Sequence, residues 1–156
     1  MLPRSLLLCL LLGLCRLAAA DVPASPAPAT PATGWNRVTV EPMKTSIYIG
    51  SVTLATSGFD RSGSTLSATY EAKVFPWVFW GETGRISINL TDANLASLAK
   101  GETTEFTGDA ANHKGKPRTV TGRAQPADAV SGKIKVRIGA DGYELIFNST
   151  YRFETR

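Results

Sequence analysis

Apolar and polar residues alternate with a period of two along most of the chain beyond residue 35. Residues 133–138 show it most cleanly. Ile134, Val136 and Ile138 fall on one side, and Lys133, Lys135 and Arg137 on the other. Successive side chains of a strand point to opposite faces, so this is the pattern of a half-buried β-strand. The same reading puts Leu66, Ala68, Tyr70, Ala72 and Val74 on the inner face of a long strand, and Ile86, Ile88 and Leu90 on that of another. Residues 35–40 alternate and stop at Pro42, and Tyr143, Leu145, Phe147, Ser149, Tyr151 and Phe153 predict a last strand facing inward. Residues 46–56 change phase at Gly50 and Ser51, which predicts a bulge or bend. Shorter strands are expected at 103–108 and 118–125.

Between these runs lie turn signals. Asp141-Gly142 suits a two-residue hairpin, which needs positive φ. Residues 59–63 and 81–84 read as turns, and 109–117 and 126–132 as polar loops. One helix is predicted near 92–100. Thr91 or Asp92 caps it, Leu95, Leu98 and Ala99 form its apolar stripe, and Gly101 stands where a C′ residue belongs. The sum is a single all-β domain over 35–156, an antiparallel β-sandwich or small β-barrel with one short helix.

The alternation fails at Phe75-Pro76-Trp77-Val78-Phe79-Trp80-Gly81, where both faces are apolar. Pro76 cannot donate to a central ladder and predicts a kink or strand end. Trp77 and Trp80 are three apart, so on a regular strand they face opposite ways. Continuing the phase of Val74 turns Val78 and Trp80 inward and leaves Phe75, Trp77 and Phe79 as a candidate binding surface.

The first 20 residues change the picture of where the protein works. Arg4, a short apolar run and Ala18-Ala19-Ala20 predict a cleaved signal peptide, and hence a periplasmic or secreted protein. A Pro/Ala-rich linker over 21–34 follows, in a composition that favours extended chain over a packed core. No later run reaches the roughly 20 apolar residues of a transmembrane helix. Cys9 and Cys15 both lie inside the signal, so the mature chain has no disulfide or thiolate chemistry. Losing Arg4 and Arg16 with no acids lowers the formal charge from +4 to +2. That near-neutral balance gives no argument for a nucleic acid partner.

Candidate chemistry is sparse. With one histidine and no mature cysteine, a Cys/His metal site is not expected. No nucleophile elbow, zincin or P-loop pattern occurs. No enzyme and no cofactor are therefore expected. Two polar features are candidates for ligand binding. His113, Lys114 and Lys116, with Gly115 permitting a tight turn and Arg118 and Arg123 following, could hold an anion. Lys133, Lys135 and Arg137 form a basic stripe opposite the core face, with Glu144 on the neighbouring arm as a possible cross-strand partner. Each also has a plain reading, as a solvated turn or an edge guarded by lysines. Asn89 and Asn148 match the glycosylation pattern within predicted strands.

These residues point to a non-catalytic binding module of the cell envelope, engaging an envelope polymer, a lipid or a partner protein. Two alternatives stand beside it: a barrel that carries a lipid or other hydrophobic ligand, and a structural domain that assembles with a partner chain.

Overall fold

The computed structural model describes residues 35–154; the predicted signal peptide and linker lie outside the described residues. Ten strands form: β1 (Arg37–Val40), β2 (Met43–Ile47), β3 (Gly50–Thr56), β4 (Phe59–Ser62), β5 (Thr65–Phe75), β6 (Glu82–Asn89), β7 (Thr104–Asn112), β8 (Pro117–Pro126), β9 (Ser131–Ala140) and β10 (Tyr143–Glu154). Every pairing is antiparallel. The order β5-β4-β1-β10-β9-β8-β7-β6 returns to β5 through a β5–β6 ladder, so eight strands close a barrel. Closure removes most of the unpaired edges that an open sheet would expose; among the described strands β2 alone pairs on one side, with β3. Of the two architectures that alternation allows, the chain adopts the barrel.

β1 and β2 act as one strand interrupted near Pro42, and β4 and β3 as one interrupted at Ser57 and Gly58. Val38 pairs with Phe59 and Met43 with Leu54, which is a single register carried across both breaks. The chain is therefore an up-and-down meander whose connections gather at two ends. At one end lie the β4–β5 turn, the β6–β7 connection and the β8–β9 loop. The other carries the β2–β3, β5–β6, β7–β8 and β9–β10 loops and is called the loop end below.

The inward residues fill the barrel. Val120 and Phe147 are the most completely buried, packed among Leu54, Ile86, Phe106, Val136 and Tyr151. Cavities lined by core side chains measure about 50 and 40 Å³. The one α-helix among the described residues, α1 (Asp92–Ala99), closes the end opposite the loop end with Leu98 buried. Asn94 N donates to Thr91 Oγ1 (3.2 Å) and Thr91 N donates to Asn94 Oδ1 (2.9 Å), a reciprocal cap. Gly101 follows at φ +80°, the conformation in which a glycine ends a helix. The expected helix and its caps are thus present.

Several sequence expectations are corrected. The phase change within 46–56 is a full reversal, a hairpin tipped by Tyr48 and Ile49, made possible by Gly50 at φ +125°. Residues 59–62 form strand β4 because they extend the β3 line along β5. Glu82 and Gly84 already pair with Ala72 and Tyr70, so β6 starts where a turn was expected. β7 runs on through Asn112, because β6 and β8 pair with it on both sides despite its polar composition. Tyr143 is 77% exposed at a hairpin tip, whereas Phe147 and Tyr151 of its strand are buried. Asp141 (φ 49°) and Gly142 (φ 87°) form the expected Asp-Gly turn.

The largest correction concerns residues 75–81. β5 ends at Phe75, the Phe75–Pro76 peptide is cis, and Val78–Trp80 form a turn of 3-10 helix. No strand phase passes through the segment. Val78 and Trp80 are 77% and 60% exposed, so neither is inward as strand phase required. Phe75 and Phe79 are exposed as well, and Trp77, expected on their face, is half-buried.

Candidate functional site

The loop end joins an ionic plug inside the barrel mouth to an apolar rim outside it. The plug is built mostly at strand ends. Glu82 begins β6, Arg118 is the second residue of β8, Asn112 ends β7, and Tyr70 reaches up from within β5. All four are in phase with the core face of their strands. Arg118 Nη2 donates to Glu82 Oε2 (3.1 Å), Asn112 Nδ2 donates to the same oxygen (3.1 Å), and the Tyr70 hydroxyl donates to Glu82 Oε1 (2.9 Å). Arg118 Nη2 also lies 3.2 Å from Asp141 Oδ2, and Lys116 Nζ donates to Asp141 Oδ1 (3.3 Å). The side chain of Arg118 is only 8% exposed.

A buried charge needs partners, and these charges have them. Burial pushes the Glu82 carboxyl up, but hydrogen bonds from Arg118, Asn112 and Tyr70 outweigh it and hold the group below its ordinary 4.5. Arg118 is raised by its hydrogen bond to Glu82, against the effect of its burial. Burial and the bond to Glu82 push the Tyr70 hydroxyl up. Asp141 is lowered by hydrogen bonds from Lys116 and Arg118. Glu82, Arg118 and Asp141 are thus charged near neutral pH, and Tyr70 is a neutral donor among them. Every oxygen of Glu82 is already engaged, so it is a brace across β5, β6, β7 and β8 rather than a poised acid or base.

Outside the plug, the loop end is apolar. Of nine large hydrophobic side chains exposed among the described residues, seven lie here: Tyr48, Ile49, Phe75, Val78, Phe79, Trp80 and Tyr143. The Trp77 and Trp80 rings stack at 5.0 Å between centroids, and Phe79 meets Trp80 edge-on at 5.9 Å. Ser51 pairs with Phe75, so the Tyr48–Ile49 tip stands beside the aromatic segment. The rim's charges are largely matched: Lys73 with Glu71 at 3.3 Å and Lys116 with Asp141.

The sequence candidates do not form one surface. Phe75, Trp77 and Phe79 are on the rim. His113 and Lys114 belong to the short β7–β8 turn, where Lys114 N and Lys116 N both donate to Asn112 Oδ1 (3.0 and 2.9 Å). His113 lines an outer-wall groove with Glu71 and Arg85. Lys133, Lys135 and Arg137 share the outer face of β9, and Arg137 Nε lies 3.5 Å from Glu144 Oε1, the expected cross-strand partner. Arg118, which neighbours the His113 loop in sequence, turns away from it into the mouth.

The brace residues were missed as a group, although a signal exists. Glu82 is in phase with Ile86 and Ile88, and Arg118 with Val120, so each is a charge at an inward position. Tyr48 and Ile49 are not among the sequence candidates, because reading 46–56 as strand puts Ile49 on a strand face with Ile47 and hides a turn tip. Among the described residues no cluster of His, Cys, Asp and Glu is placed to hold a metal ion, and no helix is long and apolar enough to cross a membrane. No family model matches the chain, nor does any curated protein or solved structure.

Proposed function

We propose that this protein is a non-catalytic binding module of the cell envelope that docks its loop end on a lipid bilayer surface. The observation that carries this reading is the concentration, at one end of the barrel, of seven of the nine exposed large apolar side chains among the described residues. Exposed apolar groups gathered in one place mark an interaction surface, whereas scattered ones need no explanation. Tyrosine and tryptophan suit the headgroup region, where an amphipathic ring has both an apolar and a wet side. The aliphatic tips Ile49 and Val78 would reach below it. Each such side chain contributes at most about 1.5–3 kcal/mol if fully buried.

Two further features support the outer surface over the interior. Ligand pockets usually measure about 300–1,000 Å³, and the cavities lined by the barrel's core side chains are about 50 and 40 Å³. That weighs against a carrier of lipid inside the barrel. Because the rim's charges are mostly paired, docking would be driven by apolar burial and depend weakly on salt.

The test is co-sedimentation of the mature protein with phosphatidylcholine vesicles, with and without phosphatidylglycerol, while tryptophan emission is recorded. Binding with a blue shift, little changed by salt, is expected. Ile49→Ala with Phe79→Ala should abolish it and leave stability within the roughly 0.5 kcal/mol of a surface change. Absence of vesicle binding refutes the reading. A dimer in solution that the same substitutions dissociate would assign the rim to assembly instead.

A further inference from the structure

The outer wall of β7, β8 and β9, away from the loop end, carries a concentration of like charge that the fold does not need. Antiparallel register sets Arg123 directly opposite Lys135, with Lys133 and Arg137 at the two diagonal positions on β9. Like charges directly opposite on neighbouring strands are destabilising. Two carboxylates stand near. Glu144 pairs with Arg137 at 3.5 Å, and Glu105 is the register partner of Arg123 on β7 but forms no ion pair within 4 Å. Four cations against two acids leave an excess of positive charge on one patch of a nearly neutral domain.

The patch is concave. A groove of about 440 Å³ is lined by three cations, Arg123, Lys135 and Arg137, by one carboxylate, Glu105, and by Thr107, Thr121 and Asn89. The capped start of α1 forms its rim. Lys135 is a half-buried residue of this lining. The groove contains no exposed aromatic ring. Phe106 borders it, but the residue is buried in the core. Single-stranded nucleic acid is held largely by stacking its bases on aromatic side chains, and no such platform exists here. Cations interleaved with hydroxyls and amides suit a ligand whose acid groups are interleaved with hydroxyls.

We infer that this groove binds an acidic oligosaccharide, one whose carboxylates or sulfates meet Arg123, Lys135 and Arg137 and whose hydroxyls meet Thr107, Thr121 and Asn89. The site is independent of the rim. With both engaged, the barrel would link a lipid surface to an acidic glycan.

Titration calorimetry of the mature protein tests this with three probes: a uronic acid oligomer, a sulfated oligosaccharide and single-stranded DNA of similar charge. Binding of either glycan, weakening steeply as salt rises, is expected, because each neutralised acid group releases counterions. The tighter of the two identifies the acid group. Arg123→Gln with Lys135→Gln should weaken binding at least tenfold. Lys114→Gln at the loop end, and the Ile49→Ala/Phe79→Ala rim variant, should leave it unchanged. The substituted side chains lie outside the core, and a thermal melt coinciding with that of the parent shows that the fold is kept. No binding of either glycan overturns the inference. So do equal losses in Lys114→Gln, and DNA binding as tight as the glycans.

Discussion

Arg118→Met removes the one cation that neutralises Glu82 inside the barrel mouth, and its cost can be worked from the geometry. Breaking a buried ion pair by deleting one partner typically costs about 3–5 kcal/mol, because a charge is left stranded. The Glu82 side chain keeps 25% exposure, so solvent screens part of that, and about 2–4 kcal/mol at pH 7 is expected. The Tyr70 and Asn112 donors persist, so Glu82 is not left bare. In the double variant Glu82→Met/Arg118→Met no charge is stranded. The hydrogen bonds of Tyr70 and Asn112 are lost, at about 1 kcal/mol each, together with the pair between Arg118 and the exposed Asp141, which keeps Lys116. The double variant should therefore be no less stable than Arg118→Met alone. Acidity supplies a second readout. The carboxyl of Glu82 lies below its ordinary 4.5 in the folded parent, so its stabilisation is present above that value and is lost as pH falls through the lowered one. In Arg118→Met the carboxyl loses the hydrogen bond and the charge of Arg118, both of which lower it, so it protonates at higher pH than in the parent, and protonation relieves the stranded charge. The stability gap between parent and variant should narrow as pH falls from neutral into the acid range where the variant's carboxyl protonates first. Urea unfolding followed by tryptophan fluorescence measures both quantities. A loss below about 1 kcal/mol for Arg118→Met, the level of an exposed pair, would show that the plug does not brace the barrel. A gap independent of pH would show the same.

Two other outcomes follow from the fold. Thr91→Ala removes the side-chain acceptor that caps α1 and should cost about 0.5–2 kcal/mol in thermal unfolding, with Thr91→Asn largely retaining stability. Tyr151 has a buried hydroxyl without a hydrogen-bond partner, and burial pushes it up to about 12. Neutral tyrosine is therefore favoured in the folded state, and that stabilisation is lost as pH rises above the ordinary 10.0. Phenolate absorbance should show a step near pH 12 that Tyr151→Phe removes.

Much of the fold is legible locally. A period of two along β5, β9 and most of β10 names the inward residues before any partner strand is known, because a strand alternates faces by its own geometry. Thr91, Leu98 and Gly101 announce α1 for the same reason: caps and stripes are relations between near neighbours. Pro76 ends β5 because it has no amide proton to give the ladder. The failures lie where pairing overrides composition. Polar Asp109 and Asn112 become strand because β6 and β8 flank them, and Phe59–Ser62 becomes strand because it continues β3 along β5. Strand phase misplaced Trp80 because a 3-10 turn intervenes, a geometry that local alternation does not encode.

The chain's own pattern determined an all-β domain, its core faces, its one helix and the aromatic segment at 75–80. Only the tertiary structure decided that the sheet closes, since closure is the β5–β6 ladder with its neighbours all the way round. Closure in turn decided which distant residues meet. It brought Glu82, Asn112 and Arg118 together across three strand ends, and it set Tyr48, Phe79 and Tyr143 at the same end while sending Lys135 to another wall. Alternation tells a side chain in from out. Where it sits along and around the barrel depends on register, and register is a property of strands paired with one another, not of any strand alone.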